Sequence, residues 1–132
     1  MERIDIVDNP VDYYNGRDMI QIIGRNSDRE TRKAIMFFKE HRFDFQFVDL
    51  DSRDLSKREW EAVASCVEDS SDLIDKDSKL FKKGGYQWKE YNPLEEVILN
   101  PGLLRIPVIR DKNKARIGFD PVYCKELFKC NI

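Results

Sequence analysis

The chain has 132 residues, the size of one ordinary domain, and 41% of them are apolar, which excludes a globally disordered protein. Its 23 basic and 25 acidic residues leave a net charge of -2, so it lacks the basic surface that direct nucleic-acid binding needs. No apolar run approaches the roughly 18 residues of a membrane span, and the acidic N-terminus has no signal-peptide core. We therefore expect a cytoplasmic protein without a membrane segment.

Predicted strands and helices alternate along the first half of the chain. Residues 1–17 are rich in turn formers and indicate an N-terminal extension, whereas 18–132 are predicted to form a single domain. A buried strand is expected over Met19 to Ile23, and Ser27 is expected to start a helix through a capping box with Glu30. The stretch FDFQFVDL, with Phe at alternate positions, predicts a half-buried strand, and LSKREWEAVASC predicts a helix capped by Ser56.

The second half begins with helices and ends with a hairpin. The stretch SSDLIDKDSKLFKK predicts a helix that ends at Gly84, and NPLEEVILNPGLL predicts a short one. Between them, FKKGGYQWKEY is interpreted as a solvated loop with a packed Trp rather than a nucleic-acid patch. IPVIRD and ARIGFD predict a hairpin, and Pro121 starts the last helix. This order predicts an α/β fold of thioredoxin-like architecture, a four-stranded mixed sheet with helices on both faces and a helical insert.

Cysteine and histidine, the usual zinc ligands, are few and scattered along the chain. The three cysteines, Cys66, Cys124 and Cys130, form no Cys-x-x-Cys pair, and His41 is the single histidine. We therefore predict no metal site and no cofactor, and interpret the thiols as reduced and structural. His41 ends the first predicted helix, where a positive side chain is favourable, so we interpret it as a cap or surface residue.

Three motifs carry a resemblance to a known family. SKLFKK, NPGLLRIPVI and IGFDPVYCKELF follow a helix containing RKA, and together they resemble the arsenate reductase (ArsC) and Spx family of thioredoxin-fold proteins. The combination of TRKA with NPGLL is most similar to the Spx side, whose members are small regulators that bind the α subunit of RNA polymerase. Members on the other side reduce arsenate with a thiol.

The resemblance implies that the family's active site is degenerate in this chain. The nucleophilic cysteine falls on Asp28, and the second motif position is Thr31, directly before Arg32. A carboxylate cannot perform thiol chemistry, and Asp28 would itself occupy the positive end of the helix. The three arginines that hold the oxyanion in reductases fall on Asp75, on Ile106 directly before Pro107, and on Asp120, and these replacements should repel a multiply charged oxyanion. Arg105, one residue before Ile106, and Arg116, four residues before Asp120, are the cations that would partly compensate.

The resemblance also implies particular roles for Pro107 and for the turn after the second helix. The proline at the position of Pro107 is cis in relatives, so we expect a cis peptide bond between Ile106 and Pro107. The segment that engages the polymerase subunit falls on Glu68, Asp69 and Ser70, where Ser70 stands in place of a common Gly. These are the candidate partner-binding residues.

We therefore expect no catalytic residues and a non-catalytic binding or regulatory protein, related to transcription, whose partner is a protein. The alternative is a thiol-dependent oxidoreductase of the arsenate reductase or glutaredoxin type that uses a cysteine outside the usual site. For Asp28 and Thr31, helix capping is the first interpretation. A ligand pocket between Asp28 and Pro107, and a catalytic Asp28, are the alternatives.

Overall fold

The computed structural model describes residues 20–111 and 114–130, with side chains up to residue 129. The expected extension over 1–17 and the tip of the predicted hairpin turn lie outside the described residues. The division into an extension and one domain therefore stays a prediction.

The sheet has four strands in the order β2-β1-β3-β4. Strand β1 pairs parallel with β2 and antiparallel with β3, and β3 pairs antiparallel with β4. The predicted mixed sheet and the pairing of the two hairpin strands are thus confirmed. The strands are β1 (Gln21–Gly24), β2 (Gln46–Asp49), β3 (Val108–Asp111) and β4 (Lys114–Ile117).

The first and last α-helices pack on one face of the sheet. The α-helices between them form an insert between β2 and β3. None of those in the described residues is long and apolar enough to span a membrane. The α-helices are α1 (Arg29–Glu40), α2 (Lys57–Ser65), α3 (Lys79–Lys83), α4 (Pro93–Leu99) and α5 (Pro121–Cys130). Short 3-10 turns cover Ser70–Leu73, Tyr86–Trp88 and Pro101–Leu103.

Both faces of the sheet are covered, because successive strand residues point to opposite sides. Ile22 and Ile109 face a core that contains Phe38 of α1 and Phe128 of α5. The neighbouring strand residues face a second core on the opposite side, which is closed by the helical insert. This second core includes Ile23, Val48, Val108, Trp60, Val63, Phe81 and Val97. The predicted architecture, with helices on both faces, is therefore confirmed.

The helix predicted over SSDLIDKDSKLFKK is divided in the structure, so that prediction is wrong. After the 3-10 turn, Ile74 forms an isolated antiparallel bridge with Leu104. The Asp75 N–H donates to the Leu103 carbonyl at 2.8 Å, which takes this segment out of any helical hydrogen-bond pattern. Helix α3 then starts anew, with Ser78 as its N-cap. The capping box predicted at Ser56, with Glu59 as its partner, is confirmed.

Two predicted packing arrangements are also corrected. In β2 the most buried side chains are Gln46 and Val48, whereas Phe47 is only half-buried. Trp88, which was expected to be packed, is 84% exposed. Tyr86 fills the core instead, and its hydroxyl donates to Glu96 at 2.6 Å.

A row of polar side chains crosses three strands on the side of the insert. Gln21 pairs with Gln46 on one side and with Arg110 on the other. The Gln21 amide donates to the Gln46 carbonyl oxygen at 3.0 Å, and Arg110 donates to the Gln21 oxygen at 3.1 Å. Both glutamines are buried, so these hydrogen bonds satisfy groups that water does not reach.

Phe38 offers the sharpest test of the core beneath α1, because it is fully buried while Met36, two residues earlier, is 59% exposed. Phe38→Ala removes a packed ring and should lower the free energy of unfolding by about 3–5 kcal/mol. Met36→Ala on the same helix should change it by less than about 0.5 kcal/mol. Urea unfolding of both variants measures the difference, and equal losses would contradict the assigned faces of α1.

Candidate functional site

The candidate site lies where β1 ends and the chain turns into α1, over residues 25–28. Ile23 pairs with Val108, so the antiparallel register places Pro107 opposite Gly24, at the start of this loop. The Pro107 carbonyl accepts a hydrogen bond from Gly118 N–H at 2.7 Å. The Ile106-Pro107 peptide bond is cis, as predicted. The loops before α1 and α5 therefore flank Pro107 at one end of the sheet.

Asp28 is the N-cap of α1, which makes the expected Ser27–Glu30 capping box wrong. The Asp28 carboxylate accepts from both the backbone N–H and the hydroxyl of Thr31, each at 2.8 Å. Capping is the role that a carboxylate favours at the positive end of a helix. Ser27 lies one residue before this cap, and its hydroxyl donates to Asp51 instead.

Thr31 of α1 packs directly against Gly24 at the end of β1. The Thr31 side chain is fully buried, and a Cβ placed on Gly24 would collide with it. Glycine is therefore needed at the end of β1 so that α1 can pack closely on the sheet. The Arg25 N–H also donates to the Thr31 hydroxyl oxygen at 3.4 Å. The hydroxyl is thus engaged on both sides by the loop it supports.

Two carboxylates from the end of β2 hold the loop from below. Asp49 accepts from the Asn26 N–H at 3.1 Å. Asp51 accepts from the N–H and the hydroxyl of Ser27 at 3.2 and 2.8 Å, and from the Arg25 guanidinium at 3.1 Å. The N–H groups of Asn26, Ser27 and Thr31, three of the backbone donors that face this loop, are therefore bound to the protein's own acids.

These contacts lower the pKa of the Asp51 carboxyl. Hydrogen bonds from the Ser27 hydroxyl, the Arg25 side chain and the Ser27 backbone hold the pKa of the Asp51 carboxyl below its usual value of 3.8. The carboxylate form is therefore the form that binds the loop. Arg32, the last motif position, donates to the Asn26 carbonyl at 3.0 Å and thereby also holds the loop.

The remaining degenerate positions lie in two other groups. Asp75 begins the turn before α3, where its carboxylate accepts from Asp77 N–H at 3.1 Å. Arg105 is exposed and lies on the paired segment beside it, since its N–H donates to Leu73 at 2.7 Å. Ile106 packs against the core on the insert side.

Asp120 replaces an expected arginine with a second helix cap. It accepts from Val122 N–H at 3.0 Å at the start of α5 and pairs with Arg116 at 3.0 Å. Arg116 was a possible substitute for the missing cations, but it is engaged by this acid. Within the described part of the chain, no hydrogen bond or ion pair joins Asp28 to Asp75 or Asp120. Contacts thus join Asp28, Thr31 and Arg32 around the loop that Pro107 faces across the sheet, whereas the printed contacts of Asp75 and Asp120 are with residues of their own segments.

Asp49 and Asp51 were missed from the sequence. The signal was the stretch VDLD at the end of the second strand. Because β1 and β2 are parallel, their carboxyl ends meet at one edge, and polar residues after both strands come together there. The acids therefore reach the loop that follows β1.

The candidate partner-binding residues form an acidic turn between α2 and the first 3-10 turn. Glu68 and Asp69 are exposed, and Asp69 caps the turn by accepting from Ser71 N–H at 3.0 Å. Hydrogen bonds from the Ser71 backbone N–H and from the Ser71 side chain hold the pKa of the Asp69 carboxyl below its usual value. Ser70 is half-buried beside them. The turn presents two neighbouring carboxylates to solvent on a locally ordered backbone.

The described cysteines do not join the loop. Burial raises the pKa of the Cys124 thiol to about 11, so it stays protonated at neutral pH. Cys66 lies at the end of α2, and its thiol donates to the Ala62 carbonyl at 3.2 Å. Across residues 20–111 and 114–130, no group of three or more His, Cys, Asp or Glu side chains could hold a metal ion.

Replacing Asp28 tests the cap. Asp28→Ala should lower the free energy of unfolding by about 1–2 kcal/mol, because it removes the acceptor for a backbone N–H and for a buried hydroxyl. Asp28→Asn keeps a capping oxygen and should lose less than half as much. Thermal or urea unfolding of the two variants measures both losses. Equal losses would mean that the negative charge, rather than the cap, stabilises α1.

Replacing Asp51 tests the loop clamp, by which we mean the hydrogen bonds from Ser27 and Arg25 to the Asp51 carboxylate. Asp51→Ala should speed amide hydrogen exchange at Ser27 without unfolding the sheet. Asp44→Ala, at an exposed position two residues before β2, should leave the exchange at Ser27 unchanged. Unaltered Ser27 exchange in the first variant would show that the clamp does not order the loop.

The Asp51 clamp should also depend on pH. The folded pKa lies below the usual value of 3.8, so the stabilisation is complete above that value and is lost as the pH falls through the lower folded pKa. The carboxyl carbon resonance of Asp51 should therefore titrate with a midpoint below 3.8. A midpoint at or above this value would contradict the clamp.

Comparison with known proteins identifies relatives of one kind. The chain is 30% identical over 107 residues to the global transcriptional regulator Spx of Enterococcus faecalis, covering 77% of this chain and 80% of that protein. It is 31% identical over 106 residues to the global transcriptional regulator Spx of Streptococcus pyogenes, covering 77% and 79%. No protein-family model matches the chain.

Solved structures show the same fold. The arsenate reductase from Vibrio cholerae superposes with a TM-score of 0.70 at 14% identity, covering 82% of this chain and 97% of that one. An arsenate reductase (ArsC) related protein from Brucella melitensis gives a TM-score of 0.64 at 20% identity, covering 84% and 95%. The fold is thioredoxin-like, of the ArsC type. Taken with the sequence identity to the two regulators, this shows that the chain belongs to the Spx family of ArsC-type, thioredoxin-fold proteins.

Proposed function

We propose that this protein is a non-catalytic regulator that acts by binding a protein of the transcription machinery. The observation that carries the proposal is the state of the loop before α1. The nucleophile position holds Asp28, and its carboxylate is committed to capping the helix. The neighbouring backbone donors are bound to Asp49 and Asp51. The absence of a thiol among residues 25–28 and the three carboxylates around this loop support a role other than the thiol chemistry of the reductases.

The regulatory role in this proposal is supported by sequence similarity to relatives. The relatives with 30–31% identity are named global transcriptional regulators. The family resemblance implies the α subunit of RNA polymerase as the partner and the turn of Glu68, Asp69 and Ser70 as the contact. Exposure of the two carboxylates supports this assignment, because rim charges steer association. A partner of this kind would place the protein in the cytoplasm.

The alternative, a thiol oxidoreductase with a displaced cysteine, gains no support from the described thiols. A reactive cysteine needs thiolate character and access. Cys124 has neither, since its side chain is fully buried and its pKa is raised to about 11. Cys66 is only partly exposed, and its thiol is engaged with Ala62.

Binding to purified RNA polymerase α subunit from the source organism tests the proposal. We expect saturable binding by calorimetry. The Glu68→Lys/Asp69→Lys variant should bind at least about tenfold more weakly, because it reverses two charges of the contact. The matched control is Glu90→Lys/Glu126→Lys, which makes the same charge change at two exposed sites elsewhere.

Two results would contradict the proposal in different ways. Failure to bind the α subunit, together with no transcription protein retained from lysate by the immobilised full chain, would remove the regulatory function. Binding that survives the reversal at Glu68 and Asp69 would keep the function but remove this turn from the interface.

A further inference from the structure

A groove of about 370 Å³ runs along the outer side of α1. Its floor is apolar and consists of Met36, Phe37 and Phe119, the last from the loop before α5. The Phe37 and Phe119 rings meet edge to face with centroids 5.4 Å apart, which fixes the shape of the floor. Met36 is 59% exposed, so a flexible, polarisable side chain lies open to solvent above the rings.

Three cations line one end of this groove, namely Arg29, Arg32 and Lys33. All three lie in the first turn and a half of α1, where the helix dipole disfavours positive charge. Lys33 pairs with Glu30 at the exposed surface, and Arg32 donates to the preceding loop. The Arg29 side chain makes no hydrogen bond or ion pair with the described residues. Helix stability therefore does not account for this concentration of positive charge.

The groove is asymmetric along its length. Its far end carries a single acid, Glu40, so the charge changes sign from the start of α1 to its end. An extended ligand that fits must place its negative groups near Arg29 and an apolar group over Phe37 and Phe119. The groove is open to solvent, so it suits one or two large side chains of an extended segment better than a small molecule, whose sites bury most of the ligand surface.

We propose that this groove is a docking site for an acidic linear segment of a partner protein, in which Asp or Glu residues flank a large apolar side chain. The carboxylates contact Arg29 and Lys33, and the apolar side chain covers Met36 and Phe119. Such an arrangement combines a buried apolar anchor with a charged rim, which gives affinity and orientation respectively.

The inference extends the proposed function to a second surface. Phe38 of α1 belongs to the core on one face of the sheet, and Leu73, at the end of the 3-10 turn that follows Glu68 and Asp69, belongs to the core on the other face. The basic groove and the acidic turn therefore lie on opposite sides of the sheet. A protein with two such surfaces can hold two segments at once.

Panning the full-length protein against a displayed library of random twelve-residue peptides tests the inference even while the partner is unidentified. We expect the selected peptides to combine Asp or Glu with Leu, Phe or Trp. Their affinity should fall at least about tenfold for the Arg29→Glu/Lys33→Glu variant and also fall as salt is raised. Met36→Gln, which removes an apolar contact at an exposed position without changing the charge, should weaken binding as well.

The matched control is Lys57→Glu/Arg58→Glu, the same charge change at exposed positions at the start of α2. It should bind the selected peptides like the unaltered protein. Selected peptides without acidic residues, peptides that bind all variants equally, or no selected peptides would each overturn the inference. Concentration-dependent dimers that dissolve on Arg29→Glu/Lys33→Glu would also overturn it, by assigning the groove to a second copy of the chain. Because α-subunit binding depends on Glu68 and Asp69, failure here leaves that separate test unaffected.

Discussion

The placement of β1 in the middle of the sheet is the constraint on which the rest of the structure depends. This strand is hydrogen-bonded on both sides and buried on both faces, so its end has almost no freedom. Gly24 ends the strand, and because it has no Cβ the Thr31 side chain can pack directly against it. This contact fixes where α1 begins and in which direction it runs. The loop between them inherits its geometry from these two elements. Its chemical character is then decided by a handful of side chains that surround it.

Those side chains place the protein's own negative charges where the backbone geometry would suit an anionic ligand. A helix start beside the carboxyl ends of parallel strands is suited to bind a negatively charged ligand. Here Asp28, Asp49 and Asp51 supply the negative charge from within the chain. Three backbone N–H groups of this turn, those of Asn26, Ser27 and Thr31, are thus bound to the chain's own carboxylates. The two surfaces that we propose for partner binding, the acidic turn and the basic groove, differ in charge and lie on opposite sides of the sheet.

Much of the fold could be predicted from the sequence because local signals agreed with the tertiary arrangement. The period of apolar residues in α1, the capping box at Ser56, and the hairpin strands all required only neighbouring residues. The predictions failed where distant partners decided the outcome. Ile74 leaves the expected helix because Leu104 pairs with it, and Ser27 is displaced from the cap because Asp51 binds it. Asp28 could be placed by resemblance, whereas the clamp from β2 depends on strand order and has no motif of its own.

The polar row formed by Gln46, Gln21 and Arg110 has a consequence for the uniqueness of the fold. Side chains alternate along a strand, so a shift of β1 by one residue against β2 would set Gln21 opposite Phe45 or Phe47. Its buried amide would lose its partner, at a cost of about 1–3 kcal/mol. The apolar residues around it would tolerate such a shift far better, since one aliphatic contact resembles another. The row therefore acts as an alignment key, through which three short strands of four residues each distinguish the native pairing from its near neighbours.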